Sequence, residues 1–171
     1  MEIKRAFKFC LCCGSQAEAK EKYLHCPKCG FDFYFNPKPT QSVILINDRK
    51  EILFAVRAAE PRKGYLDFPG GFVDEDEDYE ESVRREVKEE LGIKIGKLHY
   101  LVSDYDEYLF QGVNYKVMGV TYYGLLPKSS KPQPRDDVSA IEFYKLEDVP
   151  TGRLAWESMH RLLIAIKPKL G

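Results

Sequence analysis

The chain has 171 residues, 44% of them hydrophobic, and its basic and acidic residues nearly balance to a net charge of −1 at pH 7. This length fits one ordinary domain plus a small module, and the near-zero charge excludes a bulk electrostatic attraction to nucleic acid. No segment reaches the roughly 18 apolar residues that predict a membrane span. The first residues also lack the apolar run of a signal peptide, so we expect a reducing, cytoplasmic environment.

Four of the five cysteines form two close pairs near the N-terminus. Cys10 and Cys13 form one Cys-x-x-Cys unit, Cys26 and Cys29 form the other, and a glycine follows each unit. Four thiolates make the closed tetrahedral set that is typical of structural Zn²⁺. Disulfides are the alternative, which an odd number of cysteines and a reducing compartment disfavour. Cys12 is the surplus thiol.

The region after the cysteines has signals for short strands and tight turns. Residues 36–39, Asn-Pro-Lys-Pro, predict a stiff linker. Strands are predicted at residues 42–46 and 52–58, which are rich in β-branched and apolar side chains. A further strand at residues 66–68 delivers the turn Pro69-Gly70-Gly71.

A helix is predicted immediately after this glycine turn. Residues 78–91 contain no glycine or proline, and Val83, Val87 and Leu91 recur every fourth residue as one apolar face. Acidic residues are concentrated at the start, where the helix dipole favours them, and Gly92 suits a C-terminal cap.

The same helix carries carboxylates at a spacing that suits a metal site. Helical geometry places Glu86 and Glu90 one turn apart, with Glu89 beside them. Like charges at this spacing repel, and a divalent cation would convert the repulsion into binding. Oxygen-only ligands suit Mg²⁺ or Mn²⁺. The alternative is a solvated acidic helix, but the strand and glycine turn just before it favour a functional site.

The C-terminal half predicts further strands and a last helix. Residues 113–126 and 141–144 read as strands, and residues 154–166 read as an amphipathic helix with Trp156 in its core face. Strands mixed with two helices predict a layered α/β domain. We therefore divide the chain into a zinc ribbon at residues 1–36 and an α/β domain at residues 37–171.

The segment Gly71–Ile93 follows the pattern G-x5-E-x7-R-E-U-x-E-E-x-G-U, where U is apolar, at every specified position. The chain therefore resembles the Nudix hydrolases, and a four-cysteine ribbon before this segment resembles their NADH pyrophosphatase-like branch. The resemblance implies the α/β/α Nudix sandwich. The specified positions are Gly71, Glu77, Arg85, Glu86, Val87, Glu89, Glu90, Gly92 and Ile93.

The resemblance also implies a function, namely metal-dependent hydrolysis of the diphosphate bond in a nucleoside diphosphate linked to another moiety. NADH and ADP-ribose are examples of such substrates. The implied Mg²⁺ or Mn²⁺ ligands are Glu86, Glu89, Glu90 and the carbonyl of Gly70. Arg85 is implied to orient the loop and the glutamates.

The catalytic base is left open between a glutamate of the motif, Glu86 or Glu89, and an acid from a later loop. Relatives place an additional acid where this chain has Asp136 and Asp137, and Asp137 aligns best. An acidic surface turn is the alternative at this position.

One departure from the branch concerns specificity. The Ser-Gln-Pro-Trp run that follows the motif in that branch is absent, because the only Ser-Gln is Ser15-Gln16 and the only tryptophan is Trp156. A preference for NADH therefore does not follow. Candidate substrate-binding residues are Tyr105, Tyr108 and Phe110 for base stacking and Arg57 and Arg62 for phosphate, with core packing or solvation as the alternative for each.

Two other functional classes compete with nucleotide hydrolysis. A zinc ribbon can bind DNA or RNA, and some relatives remove NAD caps from RNA, although the neutral charge disfavours a nucleic-acid partner. A ligand sensor with the Nudix fold is the third class, but such proteins typically lose motif glutamates, and all are present here. Family members are often homodimers.

Overall fold

The computed structural model describes Glu2 and residues 6–170, which divide into two compact units. The first contains the described residues up to Lys38 together with Glu107–Val117, and the second contains Pro39–Asp106 and the residues from Met118 onward. The division at residue 36 stays a prediction. Within the described chain, no helix is both long and apolar enough to cross a membrane.

The first unit contains a small antiparallel sheet. Its strands are β1 (Glu18–Ala19), β2 (Tyr23–His25) and β3 (Asp32–Tyr34), in that order. Phe33 lies 6.4 Å from the ring of Phe7 and 5.8 Å from that of Phe35. Such a small apolar cluster gives little stability without a metal or covalent link.

The second unit is built on one mixed sheet, although residues 38, 107–110 and 113–117 of its strands belong to the first unit. Its main path is ordered β10-β5-β4-β9-β8, with β6 paired to β5 and β7 paired to β4. The elements are β4 (Lys38–Ile46), β5 (Ile52–Arg57), β6 (Leu66–Asp67), β7 (Gly70–Phe72), α1 (Tyr79–Leu91), β8 (His99–Phe110), β9 (Val113–Leu125), β10 (Val138–Tyr144) and α2 (Ser158–Ile166).

The two helices cover opposite faces of this sheet. Side chains alternate along β4, so that Val43 and Leu45 pack in one core with Val87 of α1, while Ile44 packs in the other core with Met159 of α2. The layers are therefore helix, sheet, helix. The predicted α/β/α sandwich is confirmed.

Helix α1 matches the sequence prediction closely. Asp78 accepts the backbone N–H of Glu81, and the Glu81 side chain accepts the N–H of Asp78 in return, which forms a capping box. Gly92 ends the helix with a φ of 68°, a left-handed conformation that favours glycine. The apolar residues Val83 and Val87 are fully buried.

Two regions differ from the predictions of local structure. Residues 99–110 form strand β8, where no element was predicted. The final helix begins at Ser158 rather than Leu154. Leu154 instead forms a parallel bridge with Leu66, and the N–H of Ala155 donates to the Leu66 carbonyl at 2.9 Å, so the chain stays extended there. Trp156 therefore precedes the helix.

Candidate active site

The loop between β6 and β7 meets helix α1 at the glycine pair. Strand pairing sets Gly70 opposite Ser42 of β4, and the N–H of Gly70 donates to the Glu90 carboxylate at 3.2 Å. Gly71 has no side chain where the Glu86 carboxylate lies, since an added Cβ would be 2.9 Å from its Cδ. The glycines thus let the helix acids approach the backbone.

Arg85 forms hydrogen bonds to two acidic residues of α1 and to Glu77 in the loop before the helix. It forms two hydrogen bonds to Glu77, at 2.6 and 3.0 Å, and one each to Glu86 at 2.9 Å and Glu89 at 3.0 Å. It also donates to the Phe72 carbonyl at 3.2 Å. The Glu77 interaction is the main cause of the raised pKa of Arg85, and Arg85 in turn lowers the pKa of Glu77. One cation therefore ties the loop to the helix acids.

The surroundings of Glu90 and Glu86 disfavour the ionised form of both carboxyl groups. Burial raises the pKa of Glu90 to about 9, and repulsion from Asp137, Glu86 and Asp67 adds to the effect. Burial is also the main cause of the raised pKa of Glu86, with Arg85 opposing it and Glu89 and Asp137 reinforcing it. Burial and mutual repulsion therefore both disfavour ionisation of Glu86 and Glu90 at the same time.

The loop before β10 brings Asp137 to this cluster. The N–H of Arg135 donates to the Glu90 carbonyl at 2.9 Å, and that of Gln133 donates to the Leu91 carbonyl at 3.0 Å. These bonds satisfy carbonyls that the end of a helix leaves free. The Asp137 carbonyl accepts the N–H of Ala58 at 2.6 Å, and the Asp137 side chain is exposed. Its predicted catalytic role stays a prediction.

The donor set fits a hard divalent cation. Carboxylates and a backbone carbonyl are the ligands of Mg²⁺ and Mn²⁺, and repulsion among Glu86, Glu90 and Asp137 is the force that such an ion would relieve. Among the described residues, the cysteines form the only group whose ligand atoms all lie within 4.8 Å of one another. The carboxylates are instead held in separate hydrogen bonds by Arg85 and Gly70.

Arg57, a predicted phosphate ligand, belongs to a polar cluster. It donates to Asp67 at 2.9 Å and to the Pro61 carbonyl at 2.9 Å, and its guanidinium lies 5.3 Å from the ring centroid of Trp156. Trp156 also donates to Asp67, at 2.8 Å. Burial is the main cause of the raised pKa of Asp67, which Arg57 partly offsets. The cluster links the end of β6 to the segment before α2.

The other predicted substrate residues lie in separate places. Arg62 is exposed and stacks on Tyr65, with 5.4 Å to the ring centroid. Tyr105 of β8 is 71% exposed. Tyr108 and Phe110 belong to the first unit, where their rings stack at 6.1 Å. Substrate binding by these residues and by Arg57 stays a prediction.

Sequence reasoning missed two polar residues that contact the motif. Gln41 of β4 and Ser82 of α1 are buried and hydrogen-bonded to each other at 3.2 Å. Neither occupies a specified position of the motif. Gln41 lies between the polar residues Thr40 and Ser42, just before the strand predicted at residues 42–46, so the sequence carried no signal for it.

The four predicted zinc ligands converge in the first unit. The sulfur of Cys10 lies 3.7 Å from that of Cys29, and the sulfur of Cys13 lies 3.6 Å from that of Cys26. Tetrahedral Zn²⁺ with bonds of about 2.3 Å separates its sulfurs by about 3.8 Å, so the cluster is compatible with zinc. Hydrogen bonds from Ser15 are the main reason that the pKa of the Cys13 thiol falls to about 6. All five cysteines are free, so the disulfide alternative is not realised.

Comparison with known proteins identifies relatives by sequence. The NUDIX domain family model matches residues 36–164. An NAD-capped RNA hydrolase NudC from Stutzerimonas stutzeri (strain A1501) is 35% identical over 98 residues, covering 56% of this chain and 35% of the relative. The corresponding protein of Salmonella typhi is 33% identical over 104 residues, covering 60% and 40%. The matches thus span well under half the length of these relatives.

Solved structures show the same fold at low identity. The NUDIX domain of Shewanella oneidensis NrtR, solved with ADP ribose, matches with a TM-score of 0.68 and 23% identity over 86% of this chain and 94% of that one. A NUDIX hydrolase from Nitrosomonas europaea matches with a TM-score of 0.69 and 21% identity over 95% and 92%.

Proposed function

The chain belongs to the NUDIX domain family, and we propose that it is a metal-dependent hydrolase of the diphosphate bond in a nucleoside diphosphate linked to another moiety. Dinucleotides such as NADH and nucleotide sugars such as ADP-ribose are the proposed substrate class. This activity is supported by relatives that are named NAD-capped RNA hydrolases.

The observation that carries the proposal is the cluster of acidic side chains around the buried Glu90. Its carboxylate contacts the N–H of Gly70 and is repelled by Glu86 and Asp137. A purely structural helix gains nothing from acids arranged in this way. A site that binds Mg²⁺ or Mn²⁺ together with a diphosphate needs such acids, because they attract the cation.

We assign the metal to Glu86, Glu89, Glu90 and the carbonyl of Gly70. A bound Mg²⁺ or Mn²⁺ ion would neutralise the diphosphate and lower the pKa of the attacking water. Arg85 keeps Glu86 and Glu89 oriented through its hydrogen bonds. Asp137, or one of the two glutamates Glu86 and Glu89, accepts the proton of the attacking water.

Arg57, Arg62, Tyr105, Tyr108 and Phe110 are the proposed substrate contacts. Stacking of a base on one of the aromatic rings would be tolerant of base identity. The arginines would contact phosphate oxygens.

We propose a structural Zn²⁺ at Cys10, Cys13, Cys26 and Cys29, in a ribbon at residues 1–36 before a catalytic domain at residues 37–171. Their free thiols favour a reducing, cytoplasmic location. A homodimer is the proposed assembly.

The decisive experiment incubates the purified protein with Mg²⁺ or Mn²⁺ and a panel of NADH, ADP-ribose and a short RNA with a 5′ NAD cap, with products separated by chromatography. We expect AMP and reduced nicotinamide mononucleotide from NADH, and AMP and ribose 5-phosphate from ADP-ribose. Intact substrates under all metal conditions would reject the proposed activity.

The same panel tests specificity. Because the Ser-Gln-Pro-Trp run is absent, we expect kcat/KM for NADH and ADP-ribose to differ by less than about a hundredfold, which corresponds to roughly 2.7 kcal/mol. A preference for NADH of several hundredfold would mean that other residues read the nicotinamide half. The capped RNA is the second candidate substrate, favoured by relatives that are named NAD-capped RNA hydrolases, and steep salt dependence of its binding would support it.

A further inference from the structure

A buried amide outside the family motif contacts the motif from the sheet. Gln41 lies on β4 opposite Gly71 and is only 3% exposed. Its Nε2 donates to the hydroxyl of Ser82 at 3.2 Å. Its Oε1 is the one buried side-chain oxygen or nitrogen without a hydrogen-bond partner in the described part of the chain.

The hydroxyl of Ser82 explains why this oxygen is left unpaired. A serine hydroxyl has one hydrogen to donate and can accept two. Ser82 donates to the Phe72 carbonyl at 3.4 Å and accepts from Arg85 Nη2 at 3.3 Å. Gln41 must therefore present its amide N–H to Ser82. Its carbonyl then points away from the only polar neighbour that it has in this network.

The chain of bonds ends on the acids of the candidate metal site. Gln41 fixes Ser82, Ser82 fixes Arg85, and Arg85 donates to Glu86 at 2.9 Å and to Glu89 at 3.0 Å. A buried glutamine with an unmade bond is unfavourable for folding. Stability therefore does not account for a glutamine at this position.

We propose that Gln41 is a positioning residue, which holds Arg85, and through it Glu86 and Glu89, in the arrangement that binds the divalent cation. This inference rests on the proposed metal-dependent function. It assigns a task to a strand residue that the helix motif does not contain.

The test measures Mn²⁺ affinity of the full chain from the electron paramagnetic resonance signal of free Mn²⁺, without any substrate. The variants are Gln41→Met, Ser82→Ala and the double variant. We expect each single variant to weaken Mn²⁺ binding at least fivefold. The double variant should be no weaker than the weaker single variant, because both act through one path.

Thermal unfolding separates positioning from a merely structural role. Methionine fills a similar volume and removes the unpaired carbonyl, so Gln41→Met should unfold at the same temperature as the wild type or higher. Thr121→Val is the matched control. It breaks the half-buried hydroxyl pair of Thr121 with Ser42, 3.0 Å apart in the same sheet, and should lower stability while Mn²⁺ affinity stays within twofold.

The outcomes are distinct. Wild-type Mn²⁺ affinity in both single variants, or affinity losses that multiply in the double variant, would overturn the positioning role. Tight Mn²⁺ binding by the wild type with no diphosphate product would reject only the proposed hydrolysis. Absence of Mn²⁺ binding by the wild type would overturn both.

Discussion

The cysteine cluster and the carboxylate cluster of Glu86, Glu89, Glu90 and Asp137 are assembled in opposite ways. The thiols come from two tight turns, closed by the bonds Gly14 N–H to Cys10 and Gly30 N–H to Cys26, at 2.9 and 2.8 Å. Their sulfurs all lie within 4.8 Å of one another. The carboxylates come from a helix and a distant loop, and Arg85 and Gly70 occupy their oxygens.

This difference is the one expected between a structural metal site, which is closed, and a catalytic metal site, which must admit a substrate. Four converging thiolates leave an ion no open position, which suits a structural metal. Carboxylates that are partly buried, mutually repelling and held by one arginine can exchange partners when a cation and a substrate arrive. The proposed zinc site is therefore formed by cysteine sulfurs alone. The proposed catalytic site also depends on the hydrogen bonds of Arg85 to its carboxylates.

The largest expected effect is the loss of zinc when one of the four thiolates is removed. Wild-type protein should hold close to one zinc per chain, and Cys10→Ser or Cys29→Ser should lose it, because structural zinc binding of roughly 10–16 kcal/mol depends on the complete ligand set. Elemental analysis of reduced protein measures this. Cys12→Ser is the control and should keep its zinc. Wild-type protein without zinc would contradict the ribbon assignment.

The second prediction tests whether the carboxylates are catalytic. Glu86→Gln keeps an oxygen that can accept from Arg85, so the fold and the zinc content should be retained. Turnover should fall at least about a hundredfold, or roughly 2.7 kcal/mol of transition-state stabilisation. Initial rates at saturating metal measure this. Near wild-type hydrolysis of the best substrate would rule out a catalytic role for the motif.

The third prediction uses the titration of Glu90 in protein freed of divalent ions by EDTA. The pKa of Glu90 is raised from 4.5 to about 9, so the folded chain holds this proton more tightly than the unfolded chain. The stabilisation is complete below the unfolded pKa and is lost as pH rises toward the folded pKa. Wild-type stability should fall with pH relative to Glu90→Gln, by at most about 1.4 kcal/mol per pH unit.

Denaturant unfolding between pH 6 and 8 tests this. Glu75→Gln is the matched control, since Glu75 is exposed in the loop before α1, and it should keep the wild-type pH slope. Parallel slopes for wild type and Glu90→Gln would show that Glu90 is not held protonated.

The smallest expected effect is on stability and concerns Gly92, the motif glycine that caps the end of α1. Gly92→Ala places a Cβ at a φ of 68° and 2.6 Å from Cζ of Arg135, which should lower the free energy of unfolding by about 1 kcal/mol or slightly more. Gly96→Ala, with nothing within 4 Å of the added Cβ, should change it by less than about 0.5 kcal/mol. Equal stability of the two variants in urea would contradict the capping role.

Local patterns in the sequence alone determined the helix α1, the cysteine cluster, the family and the fold class. The apolar spacing of Val83, Val87 and Leu91 fixed the length and buried face of α1, since helical periodicity is a local property. The four cysteines indicated their cluster because each pair is closed by its own turn. The acidic motif indicated the family, and the layered α/β class followed from the mixture of elements.

The tertiary structure alone decided which distant residues meet. Trp156 was predicted on a helix, but backbone pairing of Leu154 with Leu66 kept it extended and brought it to Asp67. The Gln41–Ser82 bond and the approach of the Asp137 loop to the end of α1 likewise join residues far apart in sequence. Such contacts depend on strand register and buried polar pairing, which are set by the packing of the whole sheet and leave no periodic signal in the chain.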